Sequence, residues 1–381
     1  MTFDVDRLRR EEFPWAAAGE SIHFNTASTG PLPRRSVAAV SDFTEKRAAP
    51  HRISQEFQFG TLARSRALLA KLIHATEAEI ALATNTGFGI NIAATSLALG
   101  KGDVVLGVAH EFPANVYPWM AAARSRGFEF RLLPVTDGVP SQEHLLAALD
   151  DPQVKAVAIS WVGFASGYRF DLALIGTECR RRGITFVVDA IQGLGPATLD
   201  VGKCAIDILA CGAQKWLLSP WGTGFVYVRR ALIGSLDPVF ASWMGVRGSD
   251  DFARLVDYDL TWRDDARRFE FITLPFQEFA GLNASLDLIF ELGPAEIEAY
   301  TKSLIDRVLS WARSNGVTAV TPADPAHRAG IVSLRFSDGA GRSEKLYAAG
   351  VEHSFREGAI RLSPYFFNTP DEIDRALGLL R

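Results

Sequence analysis

The stretch Ile184-Thr-Phe-Val-Val-Asp-Ala-Ile-Gln-Gly-Leu-Gly195 decides the fold. It opens with an apolar, β-branched run and closes on a carboxylate, Asp189. A continuous apolar run of this length reads as a strand buried on both faces, as in a parallel sheet. Ligand sites in open α/β sheets lie at the carboxyl ends of their strands. A carboxylate left there is costly unless it meets a cation. The plain alternative is a helix N-cap that follows a strand.

The next stretch supplies the complement. Asp207-Ile-Leu-Ala-Cys-Gly-Ala-Gln-Lys-Trp-Leu-Leu-Ser-Pro-Trp-Gly-Thr-Gly-Phe-Val-Tyr-Val228 holds one lysine, Lys215, between Trp216 and Leu217. Residues 206–210 and 225–228 read as strands, so Lys215 falls in the loop between them. Apolar neighbours favour a neutral amine, because desolvation disfavours the ammonium. A neutral amine attacks carbonyls and forms Schiff bases. The alternative is an exposed lysine lying along an apolar surface. Pyridoxal 5'-phosphate asks for both groups at once: a lysine for its aldehyde and a fixed aspartate for its pyridinium nitrogen.

Asp189-x-x-Gln192, followed by Lys215 and Gly222-Thr-Gly224, resembles the class V aminotransferase family of fold-type I enzymes dependent on pyridoxal phosphate (PLP). That family includes cysteine desulfurases, kynureninase and isopenicillin N epimerase-like proteins. The resemblance runs from about Phe24 to Leu380. It implies an α/β fold: a large domain with a mostly parallel sheet flanked by helices, plus a smaller C-terminal α+β domain. The expected division is an N-terminal segment at 1–20 packing on the small domain, a PLP-binding domain at 21–274 and the small domain at 275–381.

The resemblance also implies roles. Lys215 would carry the cofactor and then act as acid and base, with Asp189 on the pyridinium. Thr86 and Gly87 fall where the family holds the phosphate, and Phe112 where an aromatic ring stacks on the pyridine face. Gln192 would reach the cofactor's phenolic oxygen. A family serine is replaced by Gly212, with Gln214 or water to compensate for the lost phosphate donor. Thr273 matches a threonine that reaches the partner subunit's cofactor phosphate, which implies a homodimer. Arg361 would bind the substrate carboxylate, with Arg356 and His353 in the loop before it. Asn25, Ala27 and Ser28 would line the substrate side. Gly163 and Phe164 depart from the family, where a polar residue often stands near the cofactor hydroxyl.

The rest of the chain is consistent with such an enzyme. It has 381 residues, 48% hydrophobic, with a net charge of −4 and both signs scattered. That charge gives no footprint for nucleic acid or an anionic membrane. No apolar run reaches the roughly 20 residues of a membrane span. The first residues, Met1 to Arg10, lack a signal-peptide pattern. The three cysteines, Cys179, Cys204 and Cys211, form neither a disulfide framework nor a zinc spacing. The expectation is a cytoplasmic, reduced protein. Thr84-Asn-Thr-Gly-Phe-Gly-Ile-Asn91, between a strand at 80–83 and a helix at 87–98, offers free N–H groups to an anion. It lacks the G-x-G-x-x-G dinucleotide fingerprint. His110-Glu111 begins a zinc-protease pattern, but Pro113 and Ala114 break it, so a metal site is rejected. Arg180 to Arg182, before Gly183, reads as a helix end.

Function follows in order of expectation. A PLP enzyme acting on an α-amino acid, most simply an aminotransferase, comes first. Epimerase or racemase, or C–S lyase, is the alternative. Cysteine desulfurase is disfavoured, because no cysteine follows Cys211 to serve as a mobile nucleophile. A non-enzymatic binding protein would have been free to lose Lys215 or Asp189, and both are present. Phe112, Trp161, Phe164, Tyr168 and Trp221 suggest an aromatic pocket or an ordinary core.

Overall fold

A computed structural model describes residues 3–381. In chain order the first strands are β1 (Ile22–His23), β2 (Ile80–Ala83), β3 (Val104–Val108), β4 (Glu129–Leu133), β5 (Val154–Ser160), β6 (Thr185–Asp189), β7 (Ile208–Gly212) and β8 (Gly224–Val228). All but β1 join one seven-stranded sheet in the order β2-β8-β7-β6-β5-β3-β4. β8 runs antiparallel to both its neighbours, β2 and β7, and the other pairs are parallel. The loop 213–223 returns from β7 without a crossover helix, and a direct return of this kind gives an antiparallel pair. Lys215 sits on that loop.

The middle of the sheet is buried. β7 and β8 are buried at every position, and β6 at all but its first. β4 forms one edge, half-exposed, and carries Arg131 paired to Glu129 at 2.7 Å and to Asp151 at 2.8 Å. Charge on an edge strand discourages pairing with another chain. Helix Leu172–Arg182 starts on Asp171, whose carboxylate accepts from the Leu174 N–H, and stops at Gly183 with φ +69°. Its three terminal arginines are tied to Asp207, Glu178 and Asp150, so the basic run is structural, as expected.

The C-terminal region adds β9 (Thr318–Ala319), β10 (Val332–Arg335), β11 (Val351–Glu352), β12 (Ser354–Arg356) and β13 (Ala359–Leu362). Four of them form an antiparallel sheet, β12-β13-β10-β9. β1 pairs in parallel with β11, and Asn25 bridges to Ser363. These pairings bring the 25–28 loop against β13 across most of the chain length. Helix Val5–Glu12 is anchored alongside: Arg9 donates to the Phe367 carbonyl at 3.0 Å and pairs with Glu372 at 2.7 Å. Helix Phe276–Leu292 packs on helices Arg34–Ala48 and Gln55–Ile73. No helix among the described residues is long and apolar enough to cross a membrane.

Two expected elements moved. β7 begins two residues later than the apolar run suggested, at Ile208. The segment before Arg361, expected as a loop, is the strand β12 paired to β13.

Candidate active site

β5 and β6 end level, and β7 runs on to Gly212: Ser160 pairs with Asp189, and Asp189 with Ala210. Asp189 is 2% exposed. The only donor to its carboxylate among the described residues is the Ile191 N–H, 2.9 Å from Oδ1. Burial pushes its carboxyl up from the usual aspartate range. The nearby Glu111 charge adds to that rise, while Lys215 and the Ile191 N–H oppose it.

Lys215 is half-buried, with Nζ 5.4 Å from the centre of the Phe112 ring. Burial pushes its ammonium down from the usual lysine value. The Asp189 charge resists this and the Arg361 charge reinforces it. The loop is built to hold the lysine. The Gly30 N–H donates to the Gln214 carbonyl at 2.9 Å, and a Cβ on Gly30 would lie 2.0 Å from the Lys215 carbonyl oxygen. Trp216 is buried edge-on to Tyr365, with ring centres 5.1 Å apart.

Thr86 opens helix Thr86–Ser96, and the Asn85 side chain caps the turn by accepting from Phe88 N–H at 2.9 Å. Thr86 Oγ1 accepts from the Gly212 N–H at 2.8 Å, which leaves its own proton to donate. A Cβ on Gly212 would stand 2.5 Å from Gln214 Oε1 and 3.3 Å from Thr86 Oγ1. Glycine at 212 and glutamine at 214 are therefore a matched pair, which gives a physical reason for the missing serine.

Arg361 is 3% exposed on β13. It donates to the Phe164 carbonyl at 2.8 Å, to Ser28 Oγ at 2.7 Å and to Ser354 Oγ at 3.3 Å. Its Nε has no partner, and no carboxylate pairs with it among the described residues. Burial, then the Arg356 charge, pushes its guanidinium down to about 10. Asn25 is one step back: its Oδ1 accepts from Ser354 Oγ at 2.7 Å.

The structure places the remaining candidates, and it redraws several expectations. Gln192 is buried with its amide already engaged: Nε2 donates to the Ala27 carbonyl at 2.9 Å and Oε1 accepts from Trp216 Nε1 at 2.8 Å. One N–H of that amide remains free. His353 does not reach the site; it is locked between the Val351 carbonyl at 2.9 Å and Ser343 Oγ at 2.7 Å. Arg356 is exposed on β12. The aromatic group disperses: Phe112 and Phe164 meet edge-on at 5.4 Å, Tyr168 stacks on His327, Trp161 is buried and Trp221 is 73% exposed. Thr273 is exposed on the wall of a surface cavity of about 550 Å³, beside Trp243, Phe252 and Phe276. Glu111, read in sequence only as a failed metal motif, proves to be a strongly hydrogen-bonded acid beside Asp189.

The donor set fits pyridoxal phosphate. A buried carboxylate without a cation suits a pyridinium, and an unengaged amine suits an aldehyde. A threonine hydroxyl and open helix N–H groups suit a phosphate. A buried guanidinium with an unpartnered Nε suits a carboxylate.

The comparisons agree. Residues 22–375 match the family described as Aminotransferase class-V, and the chain belongs to that family. Isopenicillin N epimerase of Streptomyces clavuligerus is 31% identical, covering 93% of this chain and 92% of that protein. A probable cysteine desulfurase of Aeropyrum pernix is 28% identical over 85% of this chain and 81% of its own. The solved cystine C–S lyase C-DES, in complex with cysteine persulfide, superposes with a TM-score of 0.86 at 22% identity, covering 96% of this chain and 98% of that one. The protein is a fold-type I PLP enzyme that acts on an amino acid through a lysine Schiff base.

Proposed function

We propose that this enzyme cleaves a C–S bond in a sulfur-containing α-amino acid by β-elimination, without a protein thiol. The cofactor would be held by Lys215, Asp189, Thr86, Gly87, Phe112, Gln192 and Gln214. When bound, it supplies an electron sink for charge developing at Cα. Arg361 would take the substrate carboxylate on its open Nε edge, with Asn25 and Ser28 fixing that arginine from behind and Arg356 at the mouth. Lys215 Nζ, its charge weakened by burial, would remove the Cα proton and return it to the departing sulfur.

The carrying observation is the set of bases. Among the described residues, Lys215 is the ionisable nitrogen that faces Phe112 with no hydrogen bond, while His353 is locked elsewhere. One mobile base suffices for elimination. The cysteines do not add a nucleophile: burial pushes the Cys204 thiol up to about 11, the Cys179 thiol up to about 12 and the Cys211 thiol well above its usual value. A persulfide-carrying mechanism is therefore not part of this reading. Transamination, first in order from the sequence, now follows elimination, because relatives such as the Aeropyrum protein are named cysteine desulfurases. Epimerisation is the second reading, favoured by the 31% identical isopenicillin N epimerase.

We also infer a homodimer in which Thr273, exposed beside Trp243 and Phe252, reaches the partner's cofactor phosphate. A panel of S-substituted cysteines tests the function. Elimination gives pyruvate, ammonia and free thiol. Epimerisation gives the opposite enantiomer with solvent deuterium at Cα and no pyruvate, and either product pattern decides between them.

A further inference from the structure

Glu111 has no cation partner among the described residues. Its carboxylate is nonetheless saturated with hydrogen bonds. Oε1 accepts from the Phe112 N–H at 2.9 Å and from Ser160 Oγ at 2.7 Å. Oε2 accepts from the Ser160 N–H at 2.7 Å and from Asn115 Nδ2 at 3.3 Å. Two of these donors belong to the loop after β3, and two to the last residue of β5. Ser160 in turn pairs with Asp189. One acid thus ties the Phe112 loop to the strand ends at the site.

The loop needs such a tie. It turns through His110 at φ +60° and continues into a short 3-10 turn, Pro113–Asn115. Phe112 itself is 44% exposed, and its one aromatic neighbour among the described residues is Phe164. A ring that must lie against a flat cofactor cannot be packed on that face by protein. Its position has to come from its backbone. Resting on the cofactor site read at Lys215 and Asp189, we propose that Glu111 is a positioning residue: it anchors the Phe112 ring and sets a fixed negative charge beside the Asp189–Lys215 pair. Burial pushes the Glu111 carboxyl up while its four hydrogen bonds pull it down, and its charge raises that of Asp189.

Glu111→Gln tests this with the shape kept. An amide offers one acceptor oxygen, so in either orientation the Phe112 N–H or the Ser160 N–H loses its acceptor. The full-length variant is loaded with pyridoxal phosphate and compared with wild type. Affinity should fall by about tenfold or more. The circular dichroism of the cofactor's visible band should weaken as the ring loosens. The pH midpoint of that band should fall by roughly 0.5–1 unit, because a negative charge that favours the protonated Lys215 nitrogen is gone. Ser160→Ala removes one donor and keeps the charge, so its midpoint should stay and its affinity should drop less. If Glu111→Gln fails to fold, Glu111→Asp is read instead: shorter but charged, it should bind the cofactor more weakly with an unmoved midpoint. A folded Glu111→Gln with wild-type affinity, band dichroism and midpoint overturns the proposal. A Glu111→Asp that matches wild type in affinity and dichroism does the same. Wild type without the band would instead sink the cofactor-site reading itself.

Discussion

Two buried aspartates lie at opposite ends of the same sheet, and they are treated in opposite ways. Asp207, just before β7, is 4% exposed. Its carboxylate accepts from the Phe186 N–H at 2.9 Å, Arg229 Nε at 2.6 Å and Arg180 Nη2 at 3.3 Å. Asp189, at the end of β6, is as deeply buried, and its carboxylate receives one backbone N–H. The first is a finished structural joint. The second is held ready for a cation that the protein does not supply. Arg268 and Arg361 repeat the contrast: Arg268 spends its donors on the carbonyls of Arg263, Ile233 and Leu236, while Arg361 keeps Nε open. In each pair the unfinished member, Asp189 or Arg361, lies at the Lys215 site, where both act on the lysine's charge, and the finished one lies elsewhere. Within these two pairs burial alone does not mark the site residue; burial of a charge without an opposite charge beside it does.

Lys215→Ala should lower turnover on the order of 10³-fold or more, since it removes both cofactor attachment and the base. A steady-state assay on the best substrate checks it, and activity within tenfold of wild type would break the contrast at its centre. Arg361→Ala should raise KM by about 10²-fold with kcat less affected, the loss of a charge-assisted pair of bonds.

The aspartates themselves should exchange phenotypes. Asp207→Asn should cost about 2 kcal/mol in urea unfolding, less than a fully buried pair would, because its two arginines are partly exposed. Asp189→Asn should leave the stability of the cofactor-free protein unchanged or higher, yet weaken cofactor binding. The opposite pattern would mean that Asp189 is the structural one.

Stability of the cofactor-free protein should depend on pH through Asp189. In the cofactor-free protein the Asp189 carboxyl is raised above its unfolded value. Its folded state therefore favours the protonated form. That contribution is complete below the usual aspartate value near 4 and is lost as pH rises through the raised value, with a slope of at most about 1.4 kcal/mol per pH unit. Asp189→Asn should flatten the slope in this window, as read by unfolding midpoints across pH. The smallest effect belongs to the thiols: Cys204→Ala should leave turnover within about twofold, and mass spectrometry after exposure to substrate should find no persulfide on any cysteine.

The parts legible in the sequence are those written locally. The apolar run ending in Asp189, the lysine loop between two strands, and the arginine set in an apolar strand all sit within a few residues of their own signals. Other features depend on partners far away in the chain. Glu111 looked like a fragment of a metal motif because Ser160, which meets it, lies 49 positions on. Gln192 looked free because Ala27, whose carbonyl it meets, is 165 positions back. His353 looked available until the fold set Ser343 against it. Of the five aromatic residues, Phe112 and Phe164 meet, and the other three are placed apart by the fold. Proximity across the chain, rather than residue type, separated the site from its surroundings.

The most direct test of the central claim is borohydride reduction of the protein loaded with pyridoxal phosphate, followed by peptide mapping. The account predicts a single reduced pyridoxyl group on the peptide carrying Lys215, absent from Lys215→Ala and retained but weakened in Asp189→Asn. A folded, cofactor-supplied protein labelled elsewhere, or not labelled at all, would contradict it.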